Sequence, residues 1–232
     1  MIASFLEWFG LGETYLHIFM AIALLVGSIR FRQLSPAQRL LSLLVMLSVL
    51  SEVLVSTKIF TNNMPIFHLY TVGEFCLIVS IFYVGRKDFL PKTIFRILIA
   101  SFLLVAFGNV LLYQSIWEMN SLSSSIEGIV LVGLALWYFY DLLERLDMPN
   151  LGKSFMFWFA TGVLLFFVSN LLFFVFSSSI VASQWQTENG QEIVLVIWPM
   201  FTFMNILLYL IFSIALICKD SIPSPKSFWS AP

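Results

Sequence analysis

The stretch Arg86-Lys87-Asp88-Phe89-Leu90-Pro91-Lys92-Thr93-Ile94-Phe95-Arg96, with the apolar run Ile97 to Tyr113 behind it, decides the fold. Four basic residues crowd into the first segment, and the run that follows carries no charge. A block of about 20 apolar residues crosses the ~30 Å hydrocarbon core of a bilayer as a helix rising 1.5 Å per residue. A helix of a soluble domain would show an apolar stripe instead of a block. Basic loops of this kind are held on the cytoplasmic face during insertion.

Outward from this stretch the pattern repeats. Apolar blocks predict seven membrane helices: Glu13–Ile29, Arg39–Phe60, Ile66–Val84, Thr93–Tyr113, Leu122–Leu143, Ser154–Phe176 and Ile197–Ile217. Ser35-Pro36, Asn62-Asn63-Met64-Pro65, Leu90-Pro91, Met148-Pro149-Asn150 and Asn189-Gly190 punctuate the connections. Arg30, Arg32 and Arg39 follow the first block. Arg86, Lys87, Lys92 and Arg96 follow the third, Arg145 and Lys153 the fifth, Lys219 and Lys226 the seventh. Of the 12 Lys and Arg residues only Lys58 falls on the other side. The fold class is therefore an all-α, seven-transmembrane-helix bundle, with its N-terminus outside and its C-terminus cytoplasmic.

Composition agrees with one membrane domain over residues 1–232. The chain is 60% hydrophobic and 11% charged, against roughly 25% charged in soluble domains. A net charge of −1 supplies no basic field for nucleic acid. Cys76 and Cys218 lie in or beside apolar runs, so no disulfide is expected. The N-terminus lacks a basic leader region and Glu7 interrupts it, which argues against a cleaved signal peptide. Residues 1–12 read as an interfacial segment with Trp8 and Phe9 at headgroup level. The flexible tail, Ser221–Pro232, is too short for a catalytic or binding domain. Function is expected in the bundle, its short loops or a partner protein.

Helices two and three can be laid over helices six and seven. Ser51-Glu52 then meets Ser169-Asn170, and Tyr70 to Glu74 meets Phe201 to Asn205. In helices one and five, His17 meets Glu127. The result is a 3+1+3 arrangement of parallel repeats with helix four as the linker, a plan found in several transporter folds.

Three carboxylates interrupt apolar spans: Glu52, Glu74 and Glu127. A charge at the centre of a membrane helix costs about 2.5–3.5 kcal/mol on insertion scales, and such groups face the bundle interior or a hydrated cavity. Counted from the sequence boundaries, all three lie roughly 8–12 Å below the outer surface. His17, Asn109 and Asn170 fall in the same outer half, Asn205 nearer the middle, and His68 and Tyr70 at the outer mouth of helix three. Ser48, Glu52 and Ser56 share a helix face, as do Tyr70 and Glu74, and Trp198, Thr202, Asn205 and Tyr209. The expectation is an outward-facing acidic pocket that binds a small ligand or protons, formed by Glu74, Glu127, Glu52, His68, Tyr70, His17, Asn170 and Asn205. Against it stand plainer roles. Asn109, Asn170 and Asn205 suit interhelical hydrogen bonding. The pairs Phe166-Phe167 and Phe173-Phe174 suit packing or lipid contact. Trp137, Tyr138 and Tyr140 suit an aromatic belt, and Asp141, Glu144 and Asp147 suit the aqueous boundary.

Other chemistries fit less well. A metal site needs about three protein ligands. The two histidines and three glutamates could supply them, but seven-helix metal hydrolases carry several membrane histidines. The last helix has no lysine for a retinal Schiff base, and no P-loop, dinucleotide or G-x-S-x-G motif occurs. No cofactor is implied. A low dielectric disfavours the charged form of a carboxylate, so clustered membrane carboxylates suit proton coupling.

His68-Leu69-Tyr70-Thr71-Val72-Gly73-Glu74-Phe75, Glu127 with Leu136-Trp137-Tyr138-Phe139-Tyr140, Phe157-Trp158-Phe159 with Gly162, and Asn205 together resemble a family of small seven-helix membrane proteins of bacteroidete-type bacteria. The likeness implies a bacterial inner-membrane location and draws attention to His68, Glu74, Glu127, Trp158 and Asn205. It implies no activity. The leading expectation is a sensor of a small ligand or protons that signals through a membrane or cytoplasmic partner. The alternatives are a small secondary transporter built from two three-helix repeats, an intramembrane metal-dependent enzyme, and a structural subunit.

Overall fold

The computed structural model describes residues 2–57, 61–86, 90–145, 150–184 and 188–218. The tail, Asp147 and the basic residues Lys58, Lys87, Lys219 and Lys226 lie outside them. The elements are α1 (Ile2–Arg30), α2 (Pro36–Ser56), α3 (Met64–Gly85), α4 (Lys92–Leu112), α5 (Ser121–Arg145), α6 (Phe155–Gln184) and α7 (Glu188–Ile217). Each contains a span long and apolar enough to cross a membrane, and no strand occurs among the described residues. The chain is a multi-pass integral membrane protein.

Local chemistry moves several boundaries from where hydropathy puts them. The α2 helix begins at Pro36, ahead of Arg39, because Ser35 and Gln38 form a capping box. The Gln38 amide donates to Ser35 Oγ at 3.3 Å, and the Ser35 amide donates to Gln38 Oε1 at 3.1 Å. Two orphan amides are satisfied at once, with proline at the first helical position where its missing N–H costs nothing. The same helix ends at Ser56 rather than Phe60. Residues 2–12 continue into α1 as one helix, not as a separate segment. Asn189-Gly190 lies in the first turn of α7, not in a connection.

Six helices close a ring. The chief neighbours run α1–α2–α3–α5–α6–α7 and back to α1, while α4 lies outside against α3 and α5. Exchanging α1, α2 and α3 for α5, α6 and α7 maps this ring onto itself. Some contacts also fall at nearby places in the two halves. The Ser48–Tyr70 hydrogen bond (3.1 Å) has its counterpart in the Phe166–Phe201 ring contact (centroids 6.1 Å). Gln38 donates to the Ala215 carbonyl at 3.3 Å, and its counterpart Met156 packs on Gly85, the counterpart of Leu216. Arg30 donates to the Leu216 carbonyl at 3.0 Å. One residue further along each counterpart helix, Arg86 pairs with Asp141 at 2.8 Å. The α1–α7 and α3–α5 contacts are the two places where α1–α3 meets α5–α7, the first much more extensive than the second.

The core is built from large apolar side chains with almost no exposure, among them Leu41, Leu44, Phe75, Phe82, Phe155, Phe159 and Phe167. Phe166 and Phe167 are buried, so of packing and lipid contact they fill the first role. Two plainer sequence readings need correction here. Tyr138 is fully buried against Phe82 and Phe139, while Trp137 and Tyr140 stay exposed as belt residues would. Asp141 is not solvated: it is 13% exposed and paired with Arg86. Burying a tyrosine ring there lets the Arg86 guanidinium lie 5.9 Å over its face.

The first two helices meet closely at Gly27. A Cβ there would sit 2.7 Å from Ser42 Oγ and 3.2 Å from Ser42 Cβ. Ser42 Cβ cannot rotate away, so the helices themselves must separate. Gly27→Val is expected to cost about 1–3 kcal/mol by overpacking, read as a lower melting temperature in detergent. Gly108→Val on α4, where nothing lies within 4 Å, should leave it nearly unchanged.

Candidate functional site

The basic residues Arg30, Arg32, Arg39, Arg86, Lys92, Arg96 and Lys153 gather at one end of the bundle, because they flank alternate helix ends. The predicted site residues lie toward the other, far end. They do not form one layer. Glu52 is four residues from the end of α2, about 6 Å along the axis. Glu127 is about 9 Å from the start of α5 and Glu74 about 15 Å from the start of α3. The shared depth expected of the three glutamates is therefore corrected, chiefly because α2 stops at Ser56.

Two of the three glutamates converge in the interior. Glu74 is 8% exposed and Glu127 2% exposed, and they lie within Coulombic reach of each other. Glu74 Oε1 accepts the Tyr70 hydroxyl proton at 2.9 Å, a pairing set by their spacing of one helical turn. The Tyr70 oxygen is 3.1 Å from Ser48 Oγ, which also reaches the Leu44 carbonyl at 3.0 Å. Ser48 has one proton for these two acceptors. The buried Tyr209 side chain, brought in by α7, lies near Ser48 and Tyr70. Glu127 contrasts with Glu74: its Oε1 is buried and has no hydrogen-bond partner.

Glu52 stands apart. It is 41% exposed and bonded to His17, 51% exposed, with Nε2 to Oε1 at 3.1 Å. The pair joins α1 to α2 about a turn below the far end. Tyr209 lies near enough to both Glu52 and Glu74 for its hydroxyl to sense their charges.

The other predicted residues take structural parts. His68 is buried and its Nε2–H donates to the Glu118 carbonyl at 3.1 Å, tying α3 to the α4–α5 connection. Asn170 and Asn205 do not bridge helices in their observed bonds. Each Nδ2 donates one turn back along its own helix, to Phe166 at 2.8 Å and Phe201 at 2.9 Å. Asn109 does bridge: its Nδ2 donates from α4 to Ser123 Oγ on α5 at 3.2 Å, and to Gln114 Oε1 at 3.0 Å. Ser48 and Tyr209 belong to the cluster although they were absent from the expected site. Their membership in polar stripes with Glu52 and Asn205 was the signal that could have found them.

The arrangement offers two buried carboxyls, one satisfied by a tyrosine and one with a vacant acceptor oxygen, at the α3–α5 seam. Two carboxylates this close in a low-dielectric interior repel strongly unless a proton or a cation accompanies them. Among the described residues no group of three or more His, Cys, Asp or Glu side chains gathers as a metal-ligand set. The chain matches no family model, no curated protein and no solved structure.

Proposed function

We propose that this protein is a small proton-coupled membrane transporter in which Glu74 and Glu127 together hold the coupling proton, or a cation in its place. The observation that carries this reading is the Glu127 carboxyl: 2% exposed, with one oxygen unpartnered, and near a second buried carboxyl. An uncompensated buried charge is costly enough that such a group is rarely kept for packing alone. The repeated contact pattern supports transport over sensing. A site at the seam of two parallel three-helix units is the arrangement from which rocking of one unit against the other exposes a site to alternate sides.

In this reading the basic end faces the cytoplasm, and the site is loaded from the opposite side. The likeness to small bacteroidete membrane proteins supports placement in a bacterial inner membrane. Sensing of protons through a partner uses the same two residues and differs in one outcome: protonation without flux.

Proteoliposomes with a trapped pH dye and an imposed pH gradient test it. Panels of small amines, amino acids, sugars and monovalent cations are added in turn. Transport predicts that at least one class accelerates collapse of the gradient, and that Glu74→Gln lowers that rate at least tenfold. Gradient decay equal to that of empty liposomes for every class would reject transport.

A further inference from the structure

We propose that the groups between the half-exposed His17–Glu52 pair and the buried Glu127 form a proton relay connecting the far face of the bundle to its interior. The inference rests on Glu74 and Glu127 being the protonation site, but does not require transport. The outer members, His17 and Glu52, are 51% and 41% exposed, Tyr70 is partly buried, and Ser48, Tyr209, Glu74 and Glu127 are buried. A cluster built only to tie helices together has no need of a polar path from surface to core. Here every step has an oxygen or nitrogen able to give one proton and take another.

The relay draws its groups from five helices. His17 comes from α1, Ser48 and Glu52 from α2, Tyr70 and Glu74 from α3, Glu127 from α5 and Tyr209 from α7. Cys76 on α3 also lies within Coulombic reach of Glu127. The described side chains of α6 include no ionisable group, and α4 carries its charges, Lys92 and Arg96, at the basic end. A proton is taken up at His17 or Glu52, whose side chains share a 3.1 Å contact. Glu52 and Ser48 are one turn apart on the same face of α2, and the relay requires one water to span that turn. Tyr70 then passes its hydroxyl proton to Glu74 Oε1 across 2.9 Å, while its oxygen takes a replacement from Ser48 or Tyr209. Each hydroxyl ends as it began. The net change is one proton moved from Glu52 to Glu74, which Glu127 then shares.

The test uses the full chain in lipid nanodiscs. A rapid pH drop is followed by the infrared carbonyl band of newly protonated carboxyl groups, assigned by its loss in Glu74→Gln and Glu127→Gln. Tyr70→Phe and Tyr209→Phe are each expected to slow the appearance of this band at least tenfold while leaving its final amplitude unchanged. Glu52→Gln should slow it several-fold. If both tyrosine variants stay within twofold of the unaltered protein, or if the unaltered protein shows no such band, the relay is wrong. Ser48→Ala provides a further variant should one tyrosine change prevent folding. A slowed band with no flux in liposomes keeps the relay and rejects transport. Flux abolished by Glu74→Gln with unchanged band kinetics keeps transport and rejects the relay.

Discussion

Arg86→Ala is expected to destabilise the bundle by about 3 kcal/mol, the lower end of the range for breaking a buried ion pair. Arg86 and Asp141 are 18% and 13% exposed and 2.8 Å apart, so neither charge recovers full hydration when its partner is removed. The loss also uncovers the face of Tyr138, over which the guanidinium lies. Denaturation in detergent of Arg86→Ala, Asp141→Ala and the double variant checks this. The two single losses should exceed the additive expectation, with the double variant recovering part of the stability. Strict additivity would mean that the pair contributes nothing as a pair. This pair closes the α3–α5 seam at the basic end, while Glu74 and Glu127 occupy the same seam further along.

The second large effect has the opposite sign. Glu127→Leu removes a buried carboxyl whose Oε1 has no partner and replaces it with an apolar side chain of similar size. Relieving an unsatisfied buried polar group is worth about 1–3 kcal/mol, so the variant should melt higher than the unaltered protein. It should also lose gradient-dependent activity. Glu74→Leu should not share the gain, because it deprives the Tyr70 hydroxyl of the acceptor it reaches at 2.9 Å. A variant that is more stable and inactive is the pattern of a group kept for function at the expense of stability. If Glu127→Leu melts lower, Glu127 has a structural role that its geometry does not display.

Much of this was legible in the sequence, and the reasons are physical. Long apolar blocks and one-sided basic loops are local signals strong enough to specify seven spans, since a bilayer admits few alternatives to a helix of its own thickness. The repeat could be aligned because Ser51-Glu52 and Ser169-Asn170 interrupt apolar runs at corresponding places. What local signals could not supply was the end of α2. Hydropathy counts apolar residues as far as Phe60, whereas the helix stops at Ser56, and those four residues move Glu52 from the interior to the half-exposed His17 pair. Pairings between distant helices were equally hidden. Arg86 reads as a topology marker and Asp141 as a boundary residue, because no periodicity in either helix records that α3 and α5 are neighbours. Tyr138 was misplaced for the same reason: an aromatic near a helix end looks like a belt residue until the packing of Phe82 against it is known. Asn170 and Asn205 were read as bridging groups, whereas the observed bonds satisfy their own helices.

Glu74 and Glu127 are expected to lie close together inside the bundle. Cysteines at these two positions, in a background of Cys76→Ser and Cys218→Ser, test it most directly. The protein is treated in native membranes with a short bifunctional thiol reagent, proteolysed between α3 and α5, and run on a gel. Convergence predicts that the two fragments remain joined within one chain, while a control pair at Glu74 and the lipid-exposed Leu136 (53% exposed) separates. Fragments that come apart in the Glu74–Glu127 pair, with both cysteines labelled by a lipid-soluble thiol reagent, would contradict the account.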